Sequence, residues 1–168
     1  LRVPVADRIG AEGEGFKLLL DGLNPERILI ASEALGIGKV ALARASQYAK
    51  DRVVFGRPIG MNQGISFPLA QAYAELKAAE LVIREASWRY DQGLPCGEHA
   101  NLAKLLAADA AYHAADAAMQ TMGGMGYATE YNVERFWKEA RLMRIAPVTQ
   151  QMVLNYVAEH ILGLPRSY

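Results

Sequence analysis

The strongest constraint on this chain is the spacing of its glycine and proline breaks. From Gly13 onward the residues are those that favour helices, with Ala, Leu, Glu, Lys, Arg and Met dominating. The run is cut at Gly56-Arg57-Pro58-Ile59-Gly60, at Gly93-Leu94-Pro95 and at Gly123-Gly124-Met125-Gly126. The pieces between these cuts are too long for strands. They predict a short helix over residues 15–21 that stops at Gly22, a plausible left-handed end. Asn24-Pro25-Glu26 then reads as a fresh start, with Asn as cap, Pro in the first turn and an acid at the positive end. That helix should reach Lys50 or Asp51. Others should cover residues 63–92, 98–122 and 131–142, with a last one over 149–162 after Pro147. Three of them, at 1.5 Å per residue, would each be about 40 Å long. The expected fold is therefore all-α: an up-and-down four-helix bundle, the last helix completing it, with additional short helices. Paired alanines at 107–108, 110–111, 114–115 and 117–118 predict close approach of neighbours along the third long helix.

The chain's 168 residues are one domain's worth of sequence. Residues 1–12 alternate like a strand at Leu1-Arg2-Val3-Pro4-Val5 but have nothing to pair with, so they read as the tail of a β-domain, with residues 13–168 as the bundle. A formal net charge of zero gives no field to attract nucleic acid. No apolar run is long enough to span a bilayer. Cys96 is alone, so no intrachain disulfide is possible and a cytoplasmic setting is expected. At 52% apolar and 21% charged residues, the composition suggests surfaces reserved for partners.

Metal-bundle chemistry needs Glu-x-x-His pairs, and His99, His113 and His160 have no glutamate three residues upstream. No phosphate-cradling G-x-x-x-x-G-K loop occurs. Two segments stand out instead. In Gln120-x-x-Gly123-Gly124-x-Gly126-Tyr127 the glycines permit close approach of a backbone or a flat ligand, or simply end a helix. Arg52-x-x-Phe55-Gly56, followed by Gln63, suits an anionic, aromatic-bearing nucleotide, or is an ordinary charged connector. Arg135, Lys138, Arg141 and Arg144 form a basic stripe, interleaved with Glu134 and Glu139, that fits a solvated or intersubunit face.

In this order, together with Glu12-Gly13-Glu14-Gly15-Phe16 and Asn24-Pro25-Glu26-Arg27, these motifs resemble the C-terminal helical domain of the acyl-CoA dehydrogenases over essentially the whole chain. The resemblance implies FAD as cofactor, an acyl-CoA substrate, a homodimer or homotetramer, and an electron-transfer flavoprotein as electron acceptor. It implies flavin contacts at Arg52, Phe55 and Gln63 from one copy and at Gln120, Thr121, Met122, Gly123 and Gly124 from a partner copy. Thr149 and Gln151 would also meet flavin, while Asn24 and Arg27 would meet the pantetheine arm. Most relatives carry the catalytic base in a Tyr-Glu-Gly-Thr run, where this chain has Ala146-Pro147-Val148-Thr149. A subset places it where this chain has Glu26, which makes Glu26 the expected base. The competing expectation is that Glu26 only stabilises a helix start. Two other functions stay open: a helical oligomerisation module without chemistry of its own, and a relative that acts as a flavin oxidase.

Overall fold

The computed structural model describes residues 1–167, and the chain is all-α apart from one short hairpin. Its helices are α1 (Gly15–Asp51), α2 (Gln63–Asp91), α3 (Gly97–Met122), α4 (Gly124–Tyr127), α5 (Val133–Met143) and α6 (Gln150–Tyr156). A π-helical turn over Val157–Ile161 continues α6. Strands β1 (Val53–Val54) and β2 (Arg57–Pro58) pair antiparallel inside the connector that the breakers marked as a turn. Among the described residues no helix is long and apolar enough to cross a membrane.

The first departure from expectation is the unbroken 37-residue α1, which runs through both Gly22 and Pro25. Asn24 is therefore not a cap, and Glu26 stands in the helix interior, remote from the macrodipole's positive end. A proline removes one backbone bond, to the residue four earlier, and crowds that carbonyl. The flanking Phe16-Lys17-Leu18-Leu19-Leu20 run favours helix, and immediately past Pro25 the side chains of Arg27, Ile28 and Ala31 become buried. Packing on that side holds the axis through the defect.

α3 lies between α1 and α2 and packs on both, and α1 also touches α2. Asn24 faces Gly97 and Gly38 faces Ala111, so α1 and α3 run parallel; Leu76 meets the same level from the antiparallel α2. The alanines of α3 make this possible: Ala100, Ala103, Ala107, Ala111, Ala114 and Ala118 are all fully buried. Gly38 is the tightest point, where a Cβ would sit 2.6 Å from Leu76 Cδ2 and 3.0 Å from Ala111 Cα.

The second departure concerns the fourth position of the bundle. α5 packs on both α1 and α3, with Trp137 Nε1 donating to Asp116 at 2.9 Å. α6 then continues downward, with Gln150 at the level of Asp109 and Tyr156 beside Gly97. The fourth column is thus shared by α5 and α6 in series, and the last helix fills only its lower half. The interruption falls at residues 144–149, where Pro147 cannot donate a helical bond.

Candidate functional site

The expected site residues fall into two groups at different heights of the bundle. At one pole the end of α1, the hairpin, the start of α2 and the end of α3 converge. Ile59 N donates to Arg52 O at 2.9 Å, and Gly60 closes on the backbone of Ala49, its virtual Cβ 3.0 Å from that carbonyl. Arg52, Gln63, Gln120, Gly123 and Gly124 are all exposed here. A groove of about 350 Å³ between Gly64, Pro68 and Gln71 of α2 and His113, Gln120 and Thr121 of α3 joins the two sets. A single copy therefore carries both groups on one pole, whereas the resemblance had assigned them to different copies.

This pole has the features a flat dinucleotide needs. Phe55 is held at φ 52, a region few non-glycine residues adopt, with its ring fully exposed. Among the described residues nothing hydrogen-bonds or pairs with the Arg52 guanidinium. A Cβ on Gly56, Gly64, Gly123 or Gly124 would meet nothing within 4 Å, so the face is open. Gly123 adopts φ 56, ψ −132, which only glycine takes without strain. Gly126 serves another purpose: its close approach is to Met119, whose carbonyl would lie 2.9 Å from a Cβ there. The Met122 side chain is buried in the core. Thr121 is likewise buried, though it borders the groove. The α3 helix presents Gln120 outward and turns the next two side chains in, as a 3.6-residue period requires.

The second group gathers toward the opposite end. Arg27 is buried and donates from Nη1 to Asn24 Oδ1 at 3.2 Å, one turn back on α1. Its Nε is buried without a hydrogen-bond partner. Burial lowers the Arg27 pKa, opposed by Tyr156 of α6 and by Glu26. Glu26 itself is exposed and leaves the inward side of α1 to Arg27 and Ile28. Thr149 caps α6, its Oγ1 accepting from Met152 N at 3.4 Å, and Gln151 is exposed on the first turn. From Lys104, level with Val148, to Gln120 is about 24 Å along α3 at 1.5 Å per residue. The two groups are thus far apart within one copy.

Sequence reasoning missed the charged side chains that hold residues 144–151. Lys104 is fully buried and donates from Nζ to Val148 O at 2.6 Å. Asp109 is bridged by Arg144 Nε at 2.9 Å and by Gln150 Nε2 at 2.8 Å. The Arg144 guanidinium also lies over the Tyr112 ring at 5.1 Å. Arg144 therefore leaves the basic stripe to brace a loop, while Lys138 pairs with Glu134 on the helix surface. A signal for Lys104 existed: it is a lone cation whose neighbours one turn away, Ala100, Ala107 and Ala108, are all buried alanines.

A family model of the acyl-CoA dehydrogenase C-terminal domain matches residues 13–162. Acyl-CoA dehydrogenase FadE12 of Mycobacterium tuberculosis is 48% identical over 170 residues, covering 100% of this chain and 44% of that protein. Butyryl-CoA dehydrogenase of Megasphaera elsdenii superposes with a TM-score of 0.91 at 37% identity, over 95% of this chain and 42% of that structure. The prolyl acyl carrier protein oxidase AnaB gives a TM-score of 0.91 at 25% identity, over 96% of this chain and 43% of that structure. The chain thus spans less than half the length of these relatives. Its ordered motifs, its bundle and these likenesses agree that the chain belongs to the acyl-CoA dehydrogenase family, in the part that forms the C-terminal helical domain.

Proposed function

We propose that this chain forms the helical wall of a FAD-dependent acyl-CoA dehydrogenase in which Glu26 is the catalytic base. The observation that carries the assignment is a pair of facts. Residues 144–149 contain no carboxylate, and Glu26 stands exposed on α1 beside the part-buried, hydrogen-bonded Asn24–Arg27 pair. Glu26 would remove the proton from the α-carbon of the thioester while hydride leaves the β-carbon, giving the α,β-unsaturated thioester. Bound FAD supplies the hydride acceptor. A thioester α-proton is weakly acidic, so the base must be held against it in a pocket from which the arriving acyl chain has displaced water. Arg27, held by Asn24, would fix the pantetheine arm, and Arg52 would meet pyrophosphate oxygens at the far pole.

The separation of the two groups supports a composite site. The Thr149 and Gln151 end of one bundle and the Arg52–Gly124 pole of another would hold one cofactor, as a homodimer or homotetramer allows. Residues 1–12, which form only a 3₁₀ turn at Val5–Asp7 and are exposed throughout, would lead from a β-domain that closes the pocket. An electron-transfer flavoprotein would take the electrons, in the cytoplasm. The test is flavin reduction by acyl-CoA in the full-length protein. Glu26→Gln should slow it by far more than about tenfold, and a loss below tenfold would remove Glu26 as the base. The likeness to AnaB favours one second reading, an oxidase, for which oxygen consumption would match substrate turnover. A purified protein without flavin absorbance would instead point to a helical oligomerisation module.

A further inference from the structure

Lys104 is packed as a core aliphatic would be, and among the described residues it is the largest side chain to be fully buried. Ala100, Ala103, Ala107 and Ala108, on the adjoining turns of α3, are fully buried as well, so its four-carbon stem lies within the core. Its ammonium ends on the Val148 carbonyl at 2.6 Å, a short charge-assisted bond. Asp109, one turn and a half along α3, holds the other side of the same loop through Gln150 and Arg144. Two residues of one rigid helix therefore grip the backbone at 148 and the side chain at 150. Thr149 lies between the grips and Gln151 just beyond them.

We infer that Lys104 is a positioning residue: its bond to Val148 sets where Thr149 and Gln151 stand against α3, and so sets flavin affinity without Lys104 touching flavin. The flavin half of this inference rests on the proposed function; the loop half does not. The charged groups acting on the ammonium are Asp109, which favours its charge, and Arg27 of α1, which opposes it; Tyr156 of α6 acts on Arg27 in turn. Burial is the largest influence and brings the Lys104 pKa down to about 8. Unfolding would solvate the amine, but local opening of the loop leaves the stem buried and only breaks the bond to Val148. The grip itself should therefore weaken in mild alkali, when a neutral amine, a poorer donor, replaces the ammonium.

The experiment compares the full-length protein with Lys104→Met, and with Ala79→Gly as a control for lost packing in the α2–α3 seam. Two quantities are read: the protection factors of the Met152 and Val153 amides, which donate to Thr149, corrected for the intrinsic pH dependence of exchange, and the Kd for FAD. Lys104→Met should speed exchange there and raise the Kd, each by roughly tenfold, the loss expected for a charged hydrogen bond. Ala79→Gly should change neither. In the wild type both quantities should move in the same directions as pH rises through about 8, with the Lys104→Met protein flat over that interval. That wild-type titration decides the matter if Lys104→Met does not fold. Unchanged protection at Met152 and Val153 in Lys104→Met, or an alkaline profile shared by both proteins, overturns the inference. If the wild type binds no FAD yet Lys104→Met still loosens the loop, the grip stands and the flavin reading falls.

Discussion

Replacing Gly38 by alanine should destabilise this protein, although alanine is the better helix former. In an exposed helix interior the exchange gains about 1 kcal/mol. At Gly38 the new methyl would lie 2.6 Å from Leu76 Cδ2 and 3.0 Å from Ala111 Cα. Leu76 is 2% exposed and cannot swing into solvent, and the second atom belongs to α3's backbone. Relief requires α1 and α3 to separate by several tenths of an ångström along a seam of fully buried alanines. Overpacking of that kind costs about 1–3 kcal/mol, and with a backbone atom involved the upper half of the range applies. Set against the propensity gain, the net loss is about 1–2 kcal/mol. For a domain of this size that lowers Tm by roughly 2–8 °C. Gly36, two residues earlier, faces open space with nothing within 4 Å. Gly36→Ala should therefore raise Tm by a few degrees in the same thermal melt followed by circular dichroism. Two substitutions of identical chemistry on one helix should move in opposite directions. If Gly38→Ala stabilises as much as Gly36→Ala does, the tight α1–α3 seam is wrong.

Three further outcomes can be measured. Lys104 has a folded pKa near 8, below the 10.5 of a free lysine. The unfolded chain therefore binds more protons between those values, and stability to urea should rise with pH across that window in the wild type but not in Lys104→Met. Glu80 accepts from Lys39, Lys77 and Arg84 at 3.1, 3.4 and 2.7 Å. Chiefly the Arg84 and Lys39 bonds hold its carboxylate down to about 2. Its contribution is complete above the ordinary carboxylate range and is lost as pH falls toward that value; Glu80→Gln should remove this part of the acid sensitivity and should matter less at high salt. A Cβ at Gly124 would meet no atom within 4 Å, so Gly124→Ala should leave the thermal midpoint within about 2 °C while weakening FAD binding; flavin fluorescence quenching reads the second effect, and unchanged affinity would remove this surface from the cofactor site.

The helical class, the three long helices and their breaks were legible in the sequence because helix propensity and glycine or proline breaks act locally. The starts of α2 at Gln63 and the end of α3 at Met122 followed from such signals alone. The motif order likewise carried the family, since it depends only on residue identity and spacing. Three things required the tertiary structure. Gly22 and Asn24-Pro25 have the composition of a boundary, but burial of Arg27, Ile28 and Ala31 against the bundle outweighs one lost backbone bond. The fourth column is divided between α5 and α6 because the loop at 144–149 is gripped by α3, an arrangement of residues more than forty positions apart. Finally, the joining of Arg52, Gln63 and Gln120–Gly124 on one pole depends on helix direction and length, which decide what a folded chain brings together and which no local pattern of residues encodes.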